Sequence, residues 1–306
     1  MRTFNAKDYL SQKTQAINDF FRTNGLDSVV VGVSGGVDSA VVLLLYLYAS
    51  RESDSPIRQV RALLMPIHGD GTSDQVGASK RGLDLFKNPL CDTEVFVWRS
   101  LELHAAYERM VAMAKVEEYG NFKQGEDPDH FLPSAWANGQ MASVLRTPMF
   151  YYQAAIMQQQ GFRSVVSGTT NRDEGSFIGF YGKASDGMVD IQPIADLHKS
   201  EVYKLAALLG VSESIVSTPP KGDVWDRRTD EEMIGAPYPF LQEYLEQRCL
   251  PDFESWRDLV LTSKSKNAEY LVNIEKLHDT NKHKYMVGSP AHFIDVLDRK
   301  VPGGWS

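Results

Sequence analysis

The sequence predicts an α/β protein: a doubly wound, mostly parallel sheet flanked by helices, with a helical C-terminal extension. Three observations carry this. Short apolar runs rich in β-branched residues alternate with segments of helical period through the first half of the chain. Two glycine-bearing turns, at 34–39 and 167–175, follow such runs, and ligands of parallel α/β sheets lie at the carboxyl ends of strands. The last third is mainly helical in pattern, with a polar break at 217–231.

Residues 6–24 place Tyr9, Leu10, Ala16, Ile17, Phe20 and Phe21 at helical spacing and stop at Asn24-Gly25. A strand at 28–34 and a helix at 38–49 follow. A second strand, 59–66, ends at Pro66. Next come a helix at 73–87, a strand at 94–98 and a helical stretch near 100–118. Residues 119–138, with Gly120, Gly125, Pro128 and Pro133, read as a loop or insertion. A helix is expected over 140–160. Arg163-Ser164-Val165-Val166-Ser167 reads as a further strand.

A chain of 306 residues allows one or two domains. No linker is visible, so residues 1–306 read as a single domain with 217–232 as a mobile loop. The apolar content of 42% is ample for a core. A net charge of −8 argues against a nucleic-acid surface, which needs a basic stripe. Met1-Arg2-Thr3-Phe4 lacks the apolar core of a signal peptide. No apolar run approaches the roughly 20 residues of a membrane span. Cys91 and Cys249 form no CxxC or zinc pattern and read as reduced thiols. A cytoplasmic protein without membrane or nucleic-acid contact is therefore expected.

The most informative stretch is Ser34-Gly35-Gly36-Val37-Asp38-Ser39, between the apolar run Val29–Val33 and the Leu-rich run Ala40–Leu45. Two glycines let backbone N–H groups approach an anion, and the following helix adds partial positive charge. Ser34 and Ser39 can donate hydroxyl hydrogen bonds, and Asp38 can hold a cation. The arrangement suits a pyrophosphate with its magnesium. It is neither a Walker A loop, lacking G-K-[ST], nor a dinucleotide fingerprint, lacking G-x-G-x-x-G.

The hexapeptide resembles the PP-loop of the ATP pyrophosphatases, whose fold is the adenine nucleotide alpha-hydrolase type. Further clusters are Ser167-Gly168-Thr169-Thr170-Asn171-Arg172-Asp173-Glu174, Gly179-Phe180-Tyr181-Gly182-Lys183, Asp186-Gly187 with Asp190, Leu197-His198-Lys199-Ser200-Glu201-Val202, and Asn281-Lys282-His283-Lys284. Together with the PP-loop they resemble the ammonia-dependent NAD synthetases, over about residues 5–295. That resemblance implies a ligase forming a C–N bond. Deamido-NAD is activated by ATP as an acyl adenylate, and ammonia displaces AMP to give NAD. By the same resemblance, ATP is held by Gly32, Val33, Ser34, Gly35, Gly36, Val37, Asp38, Ser39, Thr169, Lys199 and Lys221. Magnesium is held by Asp38 and Glu174. Deamido-NAD is held by Arg146, Lys183, Asp190, His283 and Lys284. Asp38 and Lys199 are the expected catalytic groups, with Asp186 a candidate acceptor for the ammonium proton. Phe180 and Tyr181 could stack on the nicotinate ring or pack in the core. A homodimer is implied.

Three segments depart from the family pattern. Leu64 stands where arginine is usual, Val144–Met149 lacks a lysine and a second arginine, and Lys221 replaces a phosphate-contacting threonine. They leave open an amide ligase of the same fold acting on another carboxylate. A tRNA-modifying PP-loop enzyme is disfavoured by the acidic charge, and a non-catalytic nucleotide binder by Asp38, Glu174 and Lys199. Neither cysteine lies in a glutaminase context, so free ammonia is the expected donor, with a separate glutaminase subunit the other source.

Overall fold

A computed structural model describes residues 2–67, 75–114, 135–222, 228–285 and 291–305. The strands are β1 Ser28–Gly32, β2 Gln59–Leu64, β3 Phe96–Ser100, β4 Ser164–Ser167, β5 Ile191–Gln192 and β6 His292–Phe293. They form one sheet in the order β3-β2-β1-β4-β5-β6, with every described pair parallel. The order reverses between β1 and β4, the switch point at which such sheets open a crevice.

Alternation along β1 distributes its side chains. Val29 and Val31 join a core with α1 (Ala6–Thr23), α2 (Val37–Ala49) and α7 (Lys199–Leu208) on one face. Val30 joins Leu63, Tyr107, Ala142, Ala154 and Met157 on the other, under α4 (His104–Ala114) and α5 (Ala135–Gln159). Helix α2 is buried along most of its length, from Val37 to Ala49, as its unbroken apolar run requires. Asn5 caps α1 by accepting from the Lys7 and Asp8 N–H groups, and Gly25 ends it at φ +62°.

Helix α3 (Gln75–Leu85) precedes the edge strand β3. The expected strand at 94–98 lies at 96–100 instead. Its register, Val60 opposite Phe96 and Leu64 opposite Ser100, carries it into Arg99-Ser100, which the exposed edge tolerates. Helix α5 begins at Ala135, earlier than expected, and continues through Pro148, which cannot donate to the Val144 carbonyl. The rest of the expected loop at 119–138 lies outside the described residues.

Beyond β4 come α6 (Arg172–Gly175), α8 (Glu213–Val216), α9 (Asp230–Ile234), α10 (Tyr238–Arg248), α11 (Phe253–Thr262) and α12 (Lys266–Asn281). Helices α9 to α12 share a second core with Phe177, Ile178 and Val301. The loop expected at 217–232 ends earlier than its predicted boundary. Thr229 caps α9 by accepting from the Glu232 N–H while Glu232 accepts from the Thr229 N–H, a capping box that starts the helix at Asp230. Residues 223–227 lie outside the described residues.

Candidate active site

The PP-loop and the α6 turn meet at the switch point because β1 and β4 are neighbours. Gly35 adopts φ +79°, and a Cβ there would stand 2.3 Å from the Ala78 carbonyl oxygen. That position therefore requires glycine. The Arg81 Nε donates to the Gly35 carbonyl at 3.0 Å, so α3 braces the loop from outside. Ser39 folds its hydroxyl back inside, 3.0 Å from the Ser34 Oγ and 3.2 Å from the Ser34 N. Gly36, at the N-terminus of α2, offers no side-chain cap, leaving that 13-residue helix with amide donors free of side-chain acceptors. At Gly168 a Cβ would stand 2.4 Å from the Gln192 Oε1, so β4 leaves the sheet in a tightly packed turn.

Asp38, Glu174 and Lys199 come together. The Lys199 Nζ lies 2.5 Å from the Asp38 Oδ2 and 3.1 Å from the Glu174 Oε1. The Lys199 side chain is 3% exposed and the carboxylates 17% and 15%. Lys199 occupies the first turn of α7, where the helix dipole disfavours a cation. The two carboxylates reverse that preference. Asn171 caps α6 by accepting from the Glu174 N–H and donates its Nδ2 to the Asp38 Oδ1 at 3.0 Å. Behind them, the Asp173 carboxylate accepts from the Lys199 N–H at 2.7 Å and also bonds the His198 Nδ1. The start of α7 is thereby fastened to α6.

Tyr238 and Asp230 complete the cluster. The Tyr238 hydroxyl donates to the Glu174 Oε1 at 2.8 Å, with the Asp230 Oδ2 at 3.4 Å, and its ring lies 5.1 Å from the Lys199 Nζ. Neither residue was predicted as a site group. They arrive from α9 and α10, and the available signal was the Thr229-x-x-Glu232 capping pattern that orders this return to the sheet.

Burial pushes the Glu174 carboxyl up to about 7, reinforced by Asp38 and Asp230 and opposed by Lys199 and the Tyr238 hydrogen bond. Burial likewise raises Asp230 and Tyr238, the latter far above the usual phenol range. Burial opposes the Lys199 charge, but Asp38 and Glu174 outweigh it, and the ammonium holds its proton more tightly than usual.

The other predicted residues are distributed around this centre. Thr169 is half-buried at the end of β4. Arg146 donates its Nε to the Met65 carbonyl at the end of β2. Asp190 accepts from the Val166 N–H at 2.7 Å and the Tyr151 hydroxyl at 3.3 Å, bracing β4. Lys183 and Asp186 are exposed in the 182–187 turn. Lys284 donates to the Gly179 and Tyr181 carbonyls at 2.7 and 2.5 Å. Burial lowers it to about 8, with Asp186 opposing and Lys183 assisting. His283 and Lys221 are exposed. Phe180 packs against the C-terminal core, and Tyr181 pairs with Trp305.

The two central carboxylates present hard oxygen donors to one point, which a protonated amine occupies. That donor set fits a divalent cation such as magnesium. Among the described residues there is no cluster of three or more His, Cys, Asp or Glu able to hold a metal, so further ligands would come from substrate phosphate and water. No described helix is long and apolar enough to cross a membrane.

Known proteins resemble this chain in sequence and in fold. The family model described as NAD synthase matches residues 9–288. An NH(3)-dependent NAD(+) synthetase of Methanococcoides burtonii is 32% identical over 243 residues, 77% of this chain and 78% of that relative. One from Archaeoglobus fulgidus is 30% identical, covering 92% of this chain and 97% of its own length. The fold matches a solved NMN synthetase from Francisella tularensis with a TM-score of 0.68 at 24% identity, covering 92% of this chain and 96% of that one. An NH3-dependent NAD synthetase from Campylobacter jejuni gives 0.62 at 20% identity, with the same two coverages. Matched across most of its length and carrying the PP-loop at the sheet's switch point, this chain belongs to the NAD synthase family.

Proposed function

We propose that the chain is an ammonia-dependent NAD synthetase that amidates deamido-NAD at the expense of ATP. The observation that carries this reading is the convergence of Asp38 and Glu174 on Lys199 beside the α2 N-terminus. In the proposed reaction a nicotinate carboxylate oxygen attacks the α-phosphorus of ATP. The bond from that phosphorus to the bridging oxygen breaks, and pyrophosphate leaves with the electron pair. Ammonia nitrogen then attacks the acyl carbon, the C–O bond to AMP breaks, and nitrogen gives up a proton.

The side chains bind and orient rather than form covalent bonds. The amides of the Ser34–Ser39 turn and the α2 N-terminus receive phosphate oxygens, assisted by Thr169 and Lys221. Lys199, released from its carboxylates, meets the charge that develops on the leaving pyrophosphate. Asp38 and Glu174 would hold magnesium, which when bound neutralises phosphate charge. Arg146, Lys183, Asp190, His283 and Lys284 would receive deamido-NAD, with Asp186 beside them as the proton acceptor. Asp190 already spends one lone pair of each oxygen on the protein, so it would act through the rest.

A cytoplasmic homodimer fed by free ammonia, or by a separate glutaminase subunit, completes the reading. The assay supplies ATP, magnesium and ammonium with either deamido-NAD or nicotinate mononucleotide. Amidation of deamido-NAD with stoichiometric AMP supports the proposal. Amidation of the mononucleotide alone would move the activity to another carboxylate of the same chemistry, the alternative that the departures at Leu64, Val144–Met149 and Lys221 leave open.

A further inference from the structure

The segment 291–305 lies beyond the family match, which ends at residue 288. It nevertheless returns under the site. Strand β6 pairs with β5, and the chain then runs through buried Val301 to Trp305, which is 4% exposed. The Trp305 backbone N–H donates to the Ser176 carbonyl at 2.7 Å. Its indole lies so close to Gly175 that a Cβ there would stand 2.2 Å from the ring. A Cβ on Gly304 would stand 1.9 Å from the Ser176 carbonyl oxygen. Two glycines on opposite sides of the contact are thus needed to let the tail press against the residue that follows Glu174.

The same indole reaches the substrate side. Its Nε1 donates to the Tyr181 hydroxyl at 3.2 Å, and the two rings lie 5.5 Å apart. Tyr181 in turn offers its carbonyl to Lys284, whose ammonium lies 5.4 Å from the Tyr181 ring. The Phe180 N–H donates to the Glu174 carbonyl at 2.8 Å, so the Glu174 backbone is tied to the 179–182 turn. Phe293 closes the far side of the indole at 4.9 Å.

From this geometry we infer that Trp305 is a positioning residue: its ring sets Glu174 through Gly175, and its N–H sets the Tyr181–Lys284 turn that faces deamido-NAD. The inference rests on the function proposed above for the identity of that substrate, but not for the mechanical link. The two roles separate by substitution. Trp305→Phe keeps an aromatic body against Gly175 and loses the donor to Tyr181. Tyr181→Phe loses the acceptor.

The experiment uses the full chain and four proteins: parent, Trp305→Phe, Tyr181→Phe and the double variant. It reads kcat and KM for deamido-NAD, and hydrogen exchange of residues 175–187 without substrate. Each single variant should raise KM about fivefold, the worth of one neutral hydrogen bond, with kcat within about twofold of the parent. The double variant should be no worse than either single one, because both remove the same bond. Exchange across 175–187 should quicken while the 33–39 turn stays protected. Trp305→Ala, which also empties the space under Gly175, should lower kcat by about tenfold or more, and Phe at that position should restore it. Unchanged KM in both single variants, or additive effects in the double one, overturns the inference whatever the exchange data give. A parent inactive on deamido-NAD overturns the proposed function instead. The exchange data then decide the link: faster exchange of 175–187 upholds it, and unchanged exchange removes it.

Discussion

Replacing Lys199 by methionine removes the ammonium held between Asp38 and Glu174 while keeping most of the side-chain volume. At about 3 Å and an effective dielectric of about 20, each pair is worth roughly 5 kcal/mol of gross attraction. The desolvation of Lys199 offsets much of this, and breaking a buried pair typically costs about 3–5 kcal/mol. Glu174, already pushed up to about 7, can take a proton when its cation is lost, which favours the lower end. The expected loss is about 3 kcal/mol at about pH 8. The sign with pH follows from linkage. Without the ammonium, which opposes the upward shift, the Glu174 carboxyl rises further above its unfolded range, about 4. The folded variant then binds more protons than the unfolded chain, so its deficit shrinks as pH falls. Urea unfolding followed by circular dichroism at about pH 6 and pH 8 reads this directly. Added magnesium should recover more stability in the variant than in the parent, since a cation refills the place of the ammonium. A variant within about 0.5 kcal/mol of the parent at both pH values would refute the reasoning, because that is the range of a surface substitution.

Three other outcomes follow from the same geometry. Because Glu174 is raised to about 7 from the usual 4.5, its contribution to stability is present below about 4.5 and is lost as pH rises through about 7; over that upper range magnesium affinity should climb, which calorimetric titration at several pH values checks. Tyr238→Phe removes a donor that lowers the Glu174 pKa, so the acidic limb of the kcat/KM profile should move to higher pH, and an unmoved limb would separate Tyr238 from that carboxylate. Gly35→Ala meets both a positive φ and the Ala78 carbonyl, and should cost more than about 1 kcal/mol of stability together with ATP binding, read by thermal unfolding with and without ATP.

The parts of the molecule visible in its sequence are those whose cause is local. The β-branched run at Val29–Val31 reads as a buried strand, and Asn24-Gly25 as a helix stop, from local chemistry alone. Strands β5 and β6 are two residues each, too short for any periodicity, and exist only because β4 and the returning tail provide their edges. The site divides the same way. Asp38, Glu174 and Lys199 lie in short motifs at strand ends and a helix start, where topology brings them together. Tyr238 reaches Glu174, and Asp230 reaches Tyr238, through the packing of the C-terminal helices; the Thr229-x-x-Glu232 pattern signals where α9 starts but not that contact. Lys284 was expected to face the substrate. The structure gives it the Gly179 and Tyr181 carbonyls, a tie between segments more than 100 residues apart.

The central claim is that ATP is cleaved at its α-phosphorus by a nicotinate carboxylate. Deamido-NAD labelled with oxygen-18 in that carboxylate, turned over with ATP, magnesium and ammonium, tests it by mass spectrometry of the products. The expected products are NAD, AMP carrying one labelled oxygen and pyrophosphate carrying none. Label in pyrophosphate or inorganic phosphate, or turnover that leaves AMP unlabelled, would contradict it.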